Sequence, residues 1–182
     1  MAFVPGDIGH RGPLFEGLPT LEDQRDKNIF ASTLELLKVY KLDRVYIGDE
    51  RISDNQMEHF KAYIKDGVYI LHSTIKDEYK DLEILKNIQT NRSDGAKLVI
   101  RSRESRIDYD MKVDPNNCID RLAGSITLDN KLYGRYEGEL QVTRVDLPQD
   151  DKVNVIGKVD NGDIQVIKYI SAGDKFKLIE RK

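Results

Sequence analysis

The feature that most constrains this chain is an alternation of two periodicities over its first 75 residues. Short apolar runs, "AFVPGD" (Ala2–Asp7), "RVYIGD" (Arg44–Asp49) and "VYILHS" (Val68–Ser73), are separated by longer stretches patterned at helical spacing. In residues 26–40, Ile29, Phe30, Thr33, Leu34, Leu37 and Tyr40 recur every three or four positions. "SDNQMEHFKAYIKDG" puts Met57, Phe60, Tyr63 and Ile64 on one stripe, with Ser53 or Asp54 as N-cap and Gly67 as stop. Strand, helix, strand, helix, strand is the order of βαβ units, and it predicts a parallel sheet. The runs are continuously apolar rather than alternating, as in strands covered on both faces.

From about Gly124 the texture changes. "GSITLDNKLYGRYEGELQVTRVDL" reads as short strands separated by Asp129-Asn130, Gly134 and Gly138. "VNVIGKVDNGDIQVI" reads as two more strands joined by a hairpin turn at Asn161-Gly162, and "AGDKFKLIE" as a final turn and strand. Regular short strands with turn signals predict a small antiparallel barrel or sandwich. Residues 86–123 connect the two textures, and there "KLVI" is compatible with either a helix or a strand.

Charge and cysteine content narrow the function classes. A net charge of −3 on 182 residues gives no basic footprint for nucleic acid. One cysteine, Cys118, builds neither a disulfide framework nor a zinc site. No apolar run reaches the roughly 20 residues of a membrane helix. "MAFVPGD" lacks the basic and long apolar segments of a secretory leader, so a cytoplasmic protein is expected.

Ligands of parallel sheets bind beyond the carboxyl ends of the strands. Asp7, Asp49 and His72 fall there. Two carboxylates on one rim suit general acid and base work. The alternative is that both aspartates only accept backbone N–H bonds in Gly-Asp turns. The loop 8–22 is long for a βα connection, which commonly takes about 2–6 residues. It holds Gly9, Gly12 and Gly17 for close backbone approach, Pro13 and Pro19 as stiffeners, and Thr20 as a cap for the following helix. Arg11 offers a planar fork for phosphate or carboxylate. His10 and Glu16 are undecided between a role and the surface. In "TNRSDGAKLVIRSRESR", Arg92, beside Asn91, is the strongest of four arginines as an anion ligand; ordinary surface pairing is the alternative. No phosphate-cradling glycine motif, nucleophile elbow or metal-ligand spacing is present.

The blocks "AFVPGD…RGPLFEGLPTLEDQR", "VYIGD", "QTNRSDGAKLVIRSRESR", "GSITLDNKLYGRYEGELQV…DLPQDDKVNVIGKV" and "AGDKFKLI" resemble, in order, those of one bacterial family. It is the family once labelled a domain of unknown function or "outer surface protein", and it includes the 6-phospho-N-acetylmuramidases of peptidoglycan recycling. The resemblance implies an N-terminal TIM (β/α)8 barrel and a smaller cyclophilin-like β domain. It implies hydrolysis of the bond between 6-phospho-N-acetylmuramic acid and N-acetylglucosamine, with no cofactor and no metal. The implied substrate is a phosphorylated amino-sugar disaccharide, with no nucleic-acid or membrane partner. Asp7, Glu16 and Asp49 are then candidates for catalytic acid or orienting roles. Arg11 and Arg92, with Asn91 and His72 nearby in the pattern, are candidates for substrate binding. Gln89 stands where the family pattern suggests histidine, and Ser93 where it suggests proline.

A (β/α)8 barrel takes about 200 residues or more. The expectation is therefore the C-terminal half only: residues 1–88 as the last βα units of the barrel, and 89–182 as the cyclophilin-like domain with linker 89–123. Three parallel strands would leave an open edge and bare apolar flank. A complementing N-terminal fragment or self-association would cover them. Two readings follow. One is half of a glycosidase whose active site needs the missing strands; the other is a non-catalytic sugar-phosphate-binding or accessory module.

Overall fold

The computed structural model describes residues 1–180, so the last two positions of the expected 89–182 domain lie outside it. Contacts divide the chain into two compact units, Met1–Asp66 and the residues from Gly67 onward. The division falls well before the expected boundary at residue 88.

In the first unit, β1 (Ala2–Val4) and β2 (Val45–Ile47) pair in parallel, Ala2 opposite Val45 and Val4 opposite Ile47. Between them lies α1 (Ile29–Leu34), whose N-cap Asn28 accepts the Ala31 N–H at 2.8 Å. The helix continues through a wider turn, Glu35–Val39, closed by Tyr40 N–H to Glu35 C=O. An extra residue in that turn rotates the apolar stripe. Leu36 is buried instead of Leu37, and Tyr40 is exposed. Helix α2 (Asp54–Asp66) follows; the Ser53 hydroxyl accepts the Gln56 N–H, and Gly67 ends the helix at φ +66°.

Ala2, Val4, Ile29 and Leu36 form the core of this unit, with Val45, Ile47 and Phe60 against them. Phe30 packs edge-on to Phe60 and Tyr63 and stacks on His59. Helix α2 buries Gln56 and His59, with Phe60 and Tyr63 of the expected stripe half-buried beside them. Met57 is exposed, and Ile64 is 79% exposed. An apolar cleft of about 400 Å³ runs between Phe30, Leu34, Tyr46, Phe60, Tyr63 and Ile64. The expected open edge beside β1 is not found: the N–H and C=O of Phe3 are both taken by Thr20, through its hydroxyl and its N–H, at 2.7 and 2.8 Å. Thr20 therefore closes a strand edge instead of capping a helix.

The third apolar run is a correction. β3 (Val68–Ile75) does not extend the parallel sheet of β1 and β2. It sits in the second unit, in a seven-stranded sheet with β4 (Gln89–Thr90), β5 (Val99–Arg101), β6 (Ser125–Asp129), β7 (Leu140–Thr143), β8 (Val153–Val159) and β9 (Lys175–Glu180). The order is β4-β9-β3-β8-β6-β7-β5. β3 pairs in parallel with β9 and antiparallel with β8; the remaining pairings are antiparallel. The edge strands β4 and β5 meet in a bridge between Asn91 and Ser102, so the mixed sheet is a nearly closed barrel. The expected linker thus supplies two barrel strands, and "KLVI" resolves as strand. A continuously apolar run is buried on both faces in either sheet, so its pattern cannot choose its partner.

Two further strand assignments are also corrected. Residues Lys131–Tyr136 form 3-10 turns, begun by Asn130, whose side chain accepts the Leu132 N–H. Ile164–Ile167 is a helical turn, α3, and not the return arm of a hairpin. Its apolar residues and Ile170 recur at steps of three, and Val166, Ile167 and Ile170 are buried.

Gly157 in β8 sits where β6 and β8 shift register. A Cβ there would lie 2.6 Å from the Thr74 carbonyl oxygen. Gly157→Ala is expected to cost about 1–3 kcal/mol, since the obstacle is backbone rather than a mobile side chain. Urea unfolding of the variant beside the parent measures it.

Candidate active site

The loop leaving β1 is organised by the residue leaving β2. Gly48 brings its backbone against this loop; a Cβ would lie 2.4 Å from the Leu18 carbonyl. The next residue, Asp49, is only 8% exposed. Its Oδ2 accepts the N–H groups of Gly6 (2.8 Å) and Leu18 (3.0 Å), and its Oδ1 accepts that of Arg11 (3.0 Å). Burial pushes this carboxyl up; the three N–H donors, with help from nearby His10, outweigh it and hold it below the usual carboxylate range. Ile8 bridges Arg51, and the Asp7 carboxylate accepts both the N–H and the hydroxyl of Ser53 at 2.6 Å. Arg25 clamps the far side, donating to the carbonyls of Glu16 and Gly17.

Asp7 and Asp49 thus both accept backbone N–H groups, the alternative left open by the sequence. What their bonds produce is a shaped loop. Arg11, held through its N–H, lines a cleft of about 270 Å³ with Gly12, Pro13, Leu14, Gly17 and Leu18. Its guanidinium makes no hydrogen bond or ion pair among the described residues. Glu16, five positions on, is exposed; its side chain makes no hydrogen bond or ion pair among the described residues, though its charge acts on Arg25. His10 turns its ring nitrogens to the carbonyls of Gly6 and Phe15, inside the loop.

The other candidates lie in the second unit. His72 Nδ1 is 2.8 Å from Asp163 Oδ2, which also accepts the His72 N–H; both side chains are buried. Asn91 is buried at the barrel seam, donating to the Ser171 carbonyl and accepting the Arg101 N–H. Its amide serves barrel closure. Arg92 makes a bidentate pair with Asp94 and a third bond to Glu139 at 2.9 Å.

One cluster was missed from sequence. Asp129 and Glu139 are both buried, bridged by Gln141, whose amide donates to each at 3.2–3.4 Å. Burial, then the charges of Glu139 and Asp150, push the Asp129 carboxyl up to about 8. The turn signal "LDN" is what hid it: an aspartate there reads as a turn former.

Residues 1–62 match the family model described as "6-phospho-N-acetylmuramidase, N-terminal", and residues 69–179 match "6-phospho-N-acetylmuramidase, C-terminal". The match is not confined to the C-terminal half, as the sequence had suggested. No curated protein matches the chain. Two solved structures are similar to it. A conserved Enterococcus faecalis protein of unknown function superposes with a TM-score of 0.89 at 39% identity, covering 99% of this chain and 49% of that one. An uncharacterized B. cereus protein superposes at 0.78 with 25% identity, covering 98% and 53%. The chain spans about half the length of the solved structures it matches. Among the described residues no helix is long and apolar enough to cross a membrane.

Proposed function

Because the chain belongs to the 6-phospho-N-acetylmuramidase family, we propose that it takes part in hydrolysing the bond between 6-phospho-N-acetylmuramic acid and N-acetylglucosamine, in the cytoplasm, during peptidoglycan recycling. The family match over most of the chain carries this reading. On it, residues 1–66 are βα units of a TIM-type barrel completed by further units from outside these 182 residues, and the second unit is a cyclophilin-like barrel.

The loop 6–18 supplies the chemistry. Asp49 orients: its three bonds set the loop and leave it poorly placed to give up a proton. Arg11 holds the 6-phosphate or the lactyl carboxylate. Glu16, with Asp7 as the second candidate, is the acid that protonates the departing glycosidic oxygen as the C1–O bond breaks. The new bond at C1 comes from water, or first from the substrate's own N-acetyl oxygen, since some glycosidases use that internal nucleophile.

Steady-state hydrolysis in the completed protein separates the roles. Arg11→Ala should raise KM about tenfold or more with kcat little changed; Glu16→Gln should lower kcat about a hundredfold or more with KM little changed. One observation favours the second reading, a binding module without turnover: both aspartates already accept internal bonds. That reading expects binding of the phosphorylated disaccharide, abolished by Arg11→Ala, and no product from any assembly.

A further inference from the structure

We propose that Asn161 is a site of spontaneous covalent modification. Its side-chain amide is lost when the Gly162 nitrogen closes a ring onto it, and the ring reopens to an aspartate or an isoaspartate. The product lies in the turn that fastens β3 to the chain after β8. The inference lies within the second unit and is independent of the hydrolase reading, which places its chemistry on residues 6–18.

Of the chain's asparagines only Asn161 is followed by glycine. The amides of Asn91, Asn130 and Asn154 are buried and tied in hydrogen bonds. Asn161 is exposed, and its side chain makes no hydrogen bond or ion pair among the described residues. A glycine nitrogen is the least hindered backbone nucleophile, because its residue carries no Cβ.

The reaction balances with water alone. A bond forms between Gly162 N and Asn161 Cγ, the bond from Cγ to its NH2 breaks, and the backbone amide proton leaves with the ammonia. Water then adds to one of the two ring carbonyls. Opening at Cγ gives aspartate on an unaltered backbone. Opening at the α-carbonyl leaves the chain running through Cβ and Cγ, an isoaspartate with one extra methylene in the backbone.

Ring closure needs rotation about the Cα–C bond of Asn161. The turn Asp160–Asp163 is closed by the Asp163 N–H on the Asp160 carbonyl at 2.8 Å, and Gly162 lies outside the left-handed region. Flipping the 161–162 peptide to the type II form puts the third turn residue in that region, which glycine adopts at no steric cost. The flip rotates the required bond while the closing hydrogen bond persists. A Cβ on Gly162 would meet nothing within 4 Å, so no neighbour obstructs the motion.

The product weakens a joint. Asp163 Oδ2 accepts the His72 N–H and lies 2.8 Å from His72 Nδ1, while the His72 carbonyl accepts the Asp160 N–H at 2.8 Å. Both ends of the turn are thus pinned to one residue of β3. An extra methylene lengthens the path between the pins, and a new carboxylate stands between Asp160 and Asp163, where like charges repel.

Ageing the full chain in warm, mildly alkaline buffer, followed by peptide mapping, tests this. The Asn161 peptide should gain about 1 Da and accept a methyl group from S-adenosylmethionine through an isoaspartyl methyltransferase. Asn91, Asn130 and Asn154 should stay intact. Gly162→Ala should slow the loss at least about tenfold and, given the open space, unfold in urea no earlier than the parent. Asn161→Asp adds the charge without the methylene, so the aged isoaspartyl chain should unfold at lower urea than this variant and the fresh parent. An unchanged Asn161 once the urea-unfolded chain has reacted would overturn the proposal. So would equal loss in Gly162→Ala, or an aged chain that unfolds with the fresh one.

Discussion

Asp49→Ala should abolish hydrolysis in the completed protein and loosen loop 6–18 without unfolding the second unit. The substitution strands the N–H groups of Gly6, Arg11 and Leu18, all now paired with one carboxylate. An unsatisfied buried donor costs about 1–3 kcal/mol, and partial access of water to the loop reduces the sum, so a loss of about 2–5 kcal/mol within the first unit is expected. Amide exchange should accelerate most at those three positions. Asp49→Asn keeps the shape but loses the charge and one acceptor, since its amide NH2 must face an N–H donor, so it should loosen the loop as well. The pH dependence has a definite sign. This carboxyl sits below its ordinary value when folded, so its contribution is present above the usual carboxylate range and is lost as pH falls through its folded value. Intact protection of Gly6, Arg11 and Leu18 in Asp49→Ala would contradict the organising role.

Asp129→Asn should change stability in the opposite pH direction. Folded, Asp129 titrates at about 8, against an ordinary value of 3.8. Between those limits the folded chain keeps a proton that the unfolded chain releases. Stability therefore falls as pH rises from about 4 towards 8 and levels above it, each fully developed unit costing at most about 1.4 kcal/mol. Asparagine is neutral throughout, so the variant lacks this slope. The gain over the parent should be small near pH 5 and reach at least about 2 kcal/mol by pH 8. Urea unfolding at pH 5, 6.5 and 8 reads it directly. Parallel curves for parent and variant would show that Asp129 ionises normally. The cluster draws on one face of two paired strands: Asp129 ends β6, Glu139 precedes β7, and Gln141 joins them.

Much of the first unit was legible because its signals are local. The helical spacing after Asn28 and the Ser53 cap lie within a few residues of what they specify, and the two Gly-Asp turns mark the ends of β1 and β2 correctly. What failed was non-local. The run Val68–Ile75 is as apolar as a barrel strand should be, yet its hydrogen bonds go to β8 and β9, 82–86 and 107 residues away. The Asn161-Gly162 turn is real, with Asp163 N–H bonded to Asp160 C=O. The carboxylate of Asp163 engages His72, and the chain beyond coils into α3 instead of returning as a strand. Burial of charge was equally hidden: Asp129 and Glu139 look like surface residues until β6 and β7 are paired. The site candidates divide in the same way. The long loop drew notice to Arg11, which lines a cleft in it, whereas Asn91 drew notice through its neighbour Arg92 and serves the barrel seam.

The measurement that bears most directly on the whole account is release of N-acetylglucosamine from the 6-phosphorylated muramyl disaccharide. It is scored for this chain alone and with a polypeptide supplying the other half of the length of the Enterococcus faecalis relative. Little or no release by the chain alone is expected, turnover on complementation, loss of that turnover in Glu16→Gln, and no turnover of the unphosphorylated disaccharide. Equal cleavage of both disaccharides, or no product from any combination that demonstrably assembles, would contradict it.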